Sequence, residues 1–79
     1  MTWFTYMVRC KDGTYYSGMT TDVDRRVREH NTSKRGARYT RSRRPVVLAY
    51  SKPHASRSEA SQAELALKRL THWNKVALG

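Results

Sequence analysis

Two runs rich in aromatic and β-branched residues open the chain, and a short polar segment separates them. The runs are residues 3–10 and 14–20, and Lys11-Asp12-Gly13 lies between them. Strand-forming residues on both sides of a turn that contains Asp-Gly are typical of a β-hairpin. We therefore predict that the first twenty residues form two paired strands.

The length of the hairpin loop decides which side chains share a face of the sheet. A two-residue loop of Asp12-Gly13 would place Tyr6 and Tyr16 on opposite faces. A three-residue loop, with Gly13 in the left-handed region, instead pairs Tyr6 with Gly18 and places both tyrosines on one face. We favour the three-residue loop, in which Gly18 leaves space beside the ring of Tyr6.

The residues after the predicted hairpin have the spacing of an α-helix. Thr21 as N-cap, with an acid three residues later, predicts a helix over residues 22–31. On this helix Arg26 and His30 are four residues apart, so they project from the same side. The stretch over residues 31–44 has many charges and no period, which predicts an exposed basic loop.

The hydrophobic and polar pattern of the second half of the chain predicts one further strand and two helices. Residues 45–50 form a short apolar run that begins with proline, which indicates a third strand buried on both faces. A capping box precedes a helix over about 57–70, whose stripe of small residues would pack on the sheet. Glu64 lies at the edge of that stripe. A last short helix is predicted over residues 71–78.

The net charge of the chain indicates the kind of partner that it binds. Sixteen Lys and Arg residues against six Asp and Glu give a formal net charge of +10, which attracts polyanions such as nucleic acids. Nine of the basic residues lie between positions 25 and 44, where Glu29 is the only acid. We expect phosphate contacts from this segment, through Arg25, Arg28, Lys34, Arg35, Arg38, Arg41, Arg43 and Arg44.

Composition excludes several other classes of protein. A hydrophobic content of 38% with eight aromatic residues is too rich for a disordered basic tail, and no apolar run is long enough to cross a bilayer. The single cysteine excludes an internal disulfide and a zinc finger. No apolar leader with a small-residue cleavage site opens the chain. We expect a soluble domain in a reducing, cytoplasmic setting.

The spaced tyrosines also carry a resemblance to a known family. Phe4-Thr5-Tyr6 and Tyr16-Ser17-Gly18 resemble the two tripeptides of the GIY-YIG nucleases, of which the first ends in tyrosine and the second begins with tyrosine and ends in glycine. By this resemblance, the family's helix arginine falls on Arg26 and its metal-binding glutamate on Glu64. The pair His30-Asn31 is similar to the end of that helix in small stand-alone bacterial members.

The resemblance implies both a fold and an activity. The implied fold is α/β (α+β), with a small three-stranded, mainly antiparallel sheet flanked by helices in the order β-β-α-β-α-α, as one domain over residues 1–79. The implied activity is metal-dependent endonuclease cleavage of DNA, structure-selective or within DNA repair or recombination. Mg²⁺ or Mn²⁺ is the implied cofactor. DNA is the expected partner, RNA is left open, no membrane is involved, and a targeting protein is a candidate partner.

Each candidate side chain suits one need of phosphodiester hydrolysis, which requires a water, a proton acceptor and positive charge around the phosphate. Glu64 offers the hard oxygen ligand that Mg²⁺ prefers. Tyr6 and Tyr16 compete as proton acceptor, and the resemblance favours Tyr6, whose phenolate an adjacent metal and arginine would stabilise. Arg26 suits phosphate binding, and His30 suits phosphate contact or a proton relay. We expect these groups to converge on one concave site.

Departures from the family pattern leave a second function open. The glycine and isoleucine of the first tripeptide are Phe4 and Thr5, and Met19 stands where some family nucleases have lysine. The alternative is a non-catalytic nucleic-acid-binding module that retains the fold. A basic RNA-associated or ribosome-associated protein would also fit the charge, but it would leave the register of tyrosines, arginine and glutamate unexplained.

Overall fold

The structure, a computed structural model, describes residues 1–79. Its elements are β1 (Trp3–Arg9), β2 (Tyr15–Thr20), α1 (Val23–Thr32), α2 (Arg38–Arg41), β3 (Val47–His54), α3 (Arg57–Lys68) and α4 (His72–Leu78). The strands form one antiparallel sheet in the order β2-β1-β3. The predicted fold is confirmed, with the short α2 added inside the segment predicted as a loop. None of the four helices has the length and hydrophobicity needed to span a membrane.

The hairpin adopts the register of the three-residue loop. Tyr6 lies opposite Gly18 in the paired strands. The loop is closed by the N–H of Cys10, which donates to the carbonyl of Thr14 at 2.8 Å. Gly13 has a φ of +84°, a left-handed value that glycine adopts without a steric penalty. The predicted pairing is therefore confirmed, and both tyrosines of the motif point to the same face.

Alternation along β1 divides the sheet into two faces. On one face, buried side chains of the sheet pack against α1; they are Tyr6, Val8, Cys10 and Val46, with Tyr16, Val23 and Val27 around them. Met7 points to the opposite face, where α3 packs across β1 and β2. Ala60 and Leu67 of α3 are buried there. The sheet thus lies between α1 and α3.

The third strand differs from its prediction. It runs over Val47–His54 rather than residues 45–50, and it is an edge strand that pairs only with β1. Val47 and Leu48 are 49% and 43% exposed, so the expectation of burial on both faces was wrong. A continuous apolar run does not by itself distinguish a central strand from one whose outer positions stay open to solvent.

Side-chain caps set the beginnings of the three longer helices. Asp22, not Thr21 as predicted, caps α1 by accepting the N–H of Arg25 at 3.0 Å. Ser56 and Thr71 cap α3 and α4 in the same way. The predicted helix over residues 57–70 ends two residues earlier, at Lys68. These caps satisfy backbone donors that the first turn of a helix leaves free.

Candidate active site

The phenol of Tyr6 lies at the centre of the candidate site. It projects from β1 toward α1, and the residue is only 1% exposed. Its hydroxyl lies 2.8 Å from Nε2 of His30. A Cβ atom at Gly18 would lie 2.5 Å from the Tyr6 hydroxyl, so a residue with any side chain would displace the phenol. The glycine of the second tripeptide therefore makes room for the tyrosine of the first.

Burial dominates the protonation of Tyr6. It raises the pKa of the phenol to about 12, although the guanidinium of Arg26 beside it acts in the opposite direction. The neighbouring Tyr16 and Glu64 raise the pKa further. The arginine thus only partly offsets burial, and the phenol is neutral at neutral pH. Formation of the phenolate therefore needs additional positive charge near the ring.

His30 lies wholly within the protein and contacts Tyr6 on one side and α2 on the other. The residue is 0% exposed, and its Nδ1 lies 2.8 Å from Oγ1 of Thr40. Burial, with the positive charge of Arg26 and Arg44, lowers the pKa of His30 to about 4, so the imidazole is neutral at pH 7. Two roles were expected for His30, contact with a phosphate and a proton relay. Its burial does not fit contact with a phosphate, whereas its contact with Tyr6 is compatible with a proton relay.

Tyr16 is placed by an aromatic stack. Its ring meets the edge of the His30 ring at a centroid distance of 5.3 Å. On its other side it stacks on Tyr39 of α2, at 5.9 Å and an interplanar angle of 23°. The guanidinium of Arg43 covers Tyr39, 4.0 Å from the ring centroid. Tyr16 is therefore held against the same imidazole as Tyr6.

Arg26 connects this cluster to the segment after α1. Its Nη1 donates to Oε1 of Glu29 at 3.1 Å and to the carbonyl of Arg35 at 2.7 Å. Burial alone would lower the pKa of Arg26, but Tyr6 and Glu29 outweigh it and the pKa rises. The side chain is 23% exposed. A permanently charged guanidinium thus lies beside the phenol and reaches the surface.

Glu64 belongs to the helix that packs on the other face of the sheet. It lies on α3, and its carboxylate contacts Nζ of Lys68 at 3.4 Å. Its charge is the smallest of the named influences that raise the pKa of Tyr6. Thus Tyr6, Tyr16 and His30 are in contact and Arg26 lies beside them, whereas Glu64 is linked to Tyr6 only through its electric field.

Glu64 nevertheless fits one kind of metal site. No group of three His, Cys, Asp or Glu side chains that could hold a metal ion is gathered in the chain. Mg²⁺ commonly keeps several waters and binds through one carboxylate together with substrate phosphate. The side chain of Glu64 is 19% exposed and is paired only with a solvent-exposed lysine, which leaves its carboxylate suited to that mode of binding.

The eight basic residues expected to contact phosphate separate into two groups. Six have exposed positions: Arg25, Arg28, Lys34, Arg35, Arg38 and Arg41. The other two are engaged within the protein. Arg43 pairs with Asp12 at 3.0 Å. Arg44 donates to the carbonyls of His30 and, at 2.6 Å, Ser33, and so satisfies the carboxyl end of α1.

The sequence pattern gave no role to two residues that organise the site. Thr40 is 0% exposed and contacts His30, yet it lies in a stretch without any period. Asn31 donates from Nδ2 to the carbonyl of Val46 at 3.0 Å, and its Oδ1 accepts the N–H of Val46 at 2.7 Å. This pair of bonds ties α1 to the beginning of β3. Only the His30-Asn31 pair of the resemblance pointed toward such a role.

Known proteins are similar to this chain over most of its length. Residues 2–76 match the GIY-YIG catalytic domain family. A UPF0213 protein of Desulfotalea psychrophila is 55% identical over 76 residues, which cover 96% of this chain and 69% of that protein. A UPF0213 protein of Halobacterium salinarum is 51% identical over 73 residues, which cover 92% of this chain and 94% of that protein.

Solved structures show the same fold. The solution NMR structure of a UPF0213 protein from Bacillus halodurans is 42% identical, has a TM-score of 0.59, and matches 99% of this chain and 82% of that chain. The solution NMR structure of a protein from E. faecalis is 43% identical, has a TM-score of 0.60, and matches 91% and 76% of the two chains. With the match over nearly its whole length, the chain belongs to the GIY-YIG family, whose catalytic domain is that of nucleases that generally use divalent metal ions.

Proposed function

We propose that the protein is a metal-dependent endonuclease that hydrolyses phosphodiester bonds in DNA, selects its targets by DNA structure, and acts in repair or recombination. The observation that carries the proposal is the buried Tyr6 hydroxyl, which contacts an imidazole and lies beside a guanidinium. Any buried tyrosine needs a hydrogen-bond partner for its hydroxyl, but packing alone would not also require a permanently charged guanidinium beside it. Membership of the GIY-YIG family supports nuclease chemistry for the same group.

Each residue of the cluster on the α1 face has its own role in the proposed reaction. Tyr6 accepts the proton of the attacking water, and Tyr16, held by its stack, orients the water or the phosphate. Arg26 stabilises the negative charge that develops on the phosphate, because a guanidinium remains charged and can form two parallel hydrogen bonds. His30 acts through Tyr6 rather than on the substrate, since it is buried beneath the phenol.

Glu64 would hold the Mg²⁺ or Mn²⁺ ion. When bound, such an ion lowers the pKa of nearby water and phenol and offsets the charge of the scissile phosphate. This supplies the positive charge that the neutral Tyr6 lacks. Glu64 is the residue whose removal should separate DNA binding from cleavage.

DNA binding is assigned to the six exposed basic residues of α1 and the segment after it. Contacts to phosphates give affinity that falls with salt and carry little base preference, which supports selection by DNA shape rather than by sequence. A targeting protein would supply any further specificity. We assign binding and cleavage to the same domain over residues 1–79, with RNA as a second polymer to test.

The test is cleavage of a panel of linear, nicked, flapped and branched DNAs, with matched RNAs, in Mg²⁺ or Mn²⁺. The proposal predicts cleavage of at least one DNA that EDTA stops and that Tyr6→Phe and Glu64→Gln abolish while binding survives. Tyr50→Phe and Asp24→Asn are matched controls, because they make the same chemical changes away from the cluster. Both controls should cleave like the wild type.

The same panel decides the alternative, a basic module that binds nucleic acid without cutting it. The raised pKa of Tyr6 and the presence of Met19 favour that alternative. Binding to DNA without cleavage in any metal would establish it. Cleavage by Glu64→Gln at the wild-type rate would show that Glu64 does not hold the metal.

A further inference from the structure

We propose that Thr40 is a positioning residue that fixes His30 as the Nε2–H tautomer, so that the imidazole donates a hydrogen bond to the oxygen of Tyr6. Thr40 lies on the short α2 and is 0% exposed, so it does not reach the surface where a substrate would bind. Its effect would reach the reaction through His30. The inference rests on the proposed function, in which Tyr6 accepts a proton.

The backbone near Nδ1 of His30 limits where the ring hydrogen can be. The N–H of Ala37 is directed at Nδ1, with 3.4 Å between the nitrogens. A backbone N–H only donates. A hydrogen on Nδ1 would therefore face the Ala37 hydrogen and leave it without an acceptor. This long contact favours an unprotonated Nδ1.

The hydroxyl of Thr40 completes the assignment. Its Oγ1 lies 2.8 Å from Nδ1 of His30. The same hydroxyl is also placed to donate to the carbonyl oxygen of Ala37 at 2.9 Å, so these two acceptors compete for its single hydrogen. That carbonyl already accepts the N–H of Thr40 at 3.1 Å and the N–H of Arg41 at 3.2 Å. Because a carbonyl oxygen has two lone pairs, the hydroxyl hydrogen is better used on Nδ1. Thr40 thus donates to the imidazole.

The remaining ring hydrogen then lies on Nε2, since a neutral imidazole carries only one. Nε2 is 2.8 Å from the Tyr6 hydroxyl oxygen, which becomes the acceptor. The ring is neutral at working pH because of its burial and its charged surroundings. The titratable and charged groups that face it are Tyr6 of β1, Tyr16 of β2, Arg26 and Glu29 of α1, and Arg44 before β3.

A donor at this position favours the ionised form of Tyr6. A hydrogen bond to a charged oxygen is roughly twice as strong as one between neutral groups, so the Nε2–H bond stabilises the phenolate more than the phenol. The proton removed from water would end on the Tyr6 oxygen, and His30 would keep its own hydrogen throughout. The role of His30 is therefore electrostatic support, not the proton relay expected from the sequence.

The tautomer can be measured without any DNA. In protein labelled with ¹⁵N-histidine, correlation spectra of the ring should show His30 with a protonated Nε2 and an unprotonated Nδ1. Thr40→Val, which keeps the shape but removes the donor, should weaken that preference, and Thr40→Ser should retain it. A protonated Nδ1 in the wild type would overturn the proposal, as would a tautomer that is the same in Thr40→Val.

The pH dependence of cleavage gives the second readout. Loss of the Thr40 donor should move the rising limb of the rate profile to higher pH by about one unit, which is about a tenfold loss at neutral pH that shrinks as pH rises. Thr40→Ser should follow the wild type. A loss of equal size at every pH, or equal impairment in both variants, would show that Thr40 serves only folding and would overturn the proposal.

The two readouts keep this inference separate from the proposed function. An Nε2–H tautomer that depends on the Thr40 hydroxyl, in a protein that cuts no DNA, would refute the nuclease and leave the role of Thr40 in the tautomer established. A protein that cuts DNA but has an Nδ1–H histidine would refute this inference and leave the nuclease intact.

Discussion

The two faces of the sheet differ in how their buried polar side chains are connected. On the α1 face, three buried polar side chains, Tyr6, His30 and Thr40, are linked by hydrogen bonds. On the α3 face, Met7 and Ala60 are buried, and the buried hydroxyl of Thr5 is hydrogen-bonded to His54 of the neighbouring strand. The hydroxyl of Ser17 on that face is the one buried side-chain polar atom in the chain that lacks a hydrogen bond.

The connected cluster on the α1 face holds its polar side chains in fixed positions relative to one another. A buried polar group is costly unless it is hydrogen-bonded, so a connected polar cluster in so small a core requires a reason beyond stability. We assign that reason to proton handling on the α1 face. In the proposed function, the α3 face would supply the carboxylate for a metal from the partly exposed side chain of Glu64. The proposed reaction therefore depends on groups from both faces.

Substitutions on both faces of the sheet should reduce the cleavage rate more than any other change, and combining them tests whether the faces act together. Tyr6→Phe and Glu64→Gln should each lower single-turnover cleavage by about 10²–10⁴-fold, because each removes a group that acts in the same step. The double variant should be scarcely worse than either single variant, since such groups act as a unit. Rate losses that multiply fully in the double variant would mean that the faces act independently.

The second prediction concerns stability on the α1 face. The folded-state pKa of His30 is about 4, below its usual 6.5, so the folded protein binds fewer protons than the unfolded chain. His30 should therefore cost no stability above pH 6.5, and about 3 kcal/mol should be lost as pH falls from 6.5 to 4. Urea unfolding across this range measures the loss. In His30→Gln the slope should flatten, and an unchanged slope would contradict the assignment.

The third prediction tests the close approach between the strands. Gly18→Ala should destabilise the protein by about 1–3 kcal/mol and disturb Tyr6, because the new methyl group would overlap the phenol. Gly13→Ala is the control: it meets no atom within 4 Å and should cost about 1–2 kcal/mol through its positive φ alone. Cleavage should fall in Gly18→Ala and not in Gly13→Ala. Equal cleavage by the two variants would refute the proposed packing of Tyr6.

The fourth and smallest prediction separates two arginines of the basic segment. Arg44→Gln should lower stability by about 1–3 kcal/mol, because it removes a charged donor from the end of α1. Arg41→Gln should leave stability unchanged and reduce the salt dependence of DNA binding, by a slope of about 0.9 if it contacts one phosphate. Thermal unfolding and binding titrations at several salt concentrations measure both. Interchanged effects would contradict the division of the basic residues.

Much of the fold could be predicted from local signals. The aromatic runs and Gly13 predicted the hairpin and its register. Helical spacing predicted α1, α3 and α4, although the cap of α1 was placed one residue early, at Thr21 instead of Asp22. The bounds and the edge position of the third strand could not be predicted from the sequence. Its apolar run does not reveal that β3 lies at an edge, because that depends on which strand occupies the centre of the sheet.

The candidate site was predictable only where side chains follow a register. Tyr6, Tyr16 and His30 follow the periods of strands and a helix, and the structure places them in contact. Thr40 is brought to His30 by an irregular segment, and no period marks it. The distinction between Arg44 and its exposed neighbours likewise depends on tertiary contacts, since the residue type is the same throughout.

The most direct test of the central claim is whether a metal held by Glu64 lies close to the Tyr6 cluster. Mn²⁺ broadens the NMR signals of nearby nuclei, so it can be added to labelled protein bound to a DNA that resists cleavage. We expect the Tyr6 and His30 ring signals to broaden in the wild type and to stay sharp in Glu64→Gln. Ring signals that stay sharp in the wild type, or broaden equally in Glu64→Gln, would contradict the central claim.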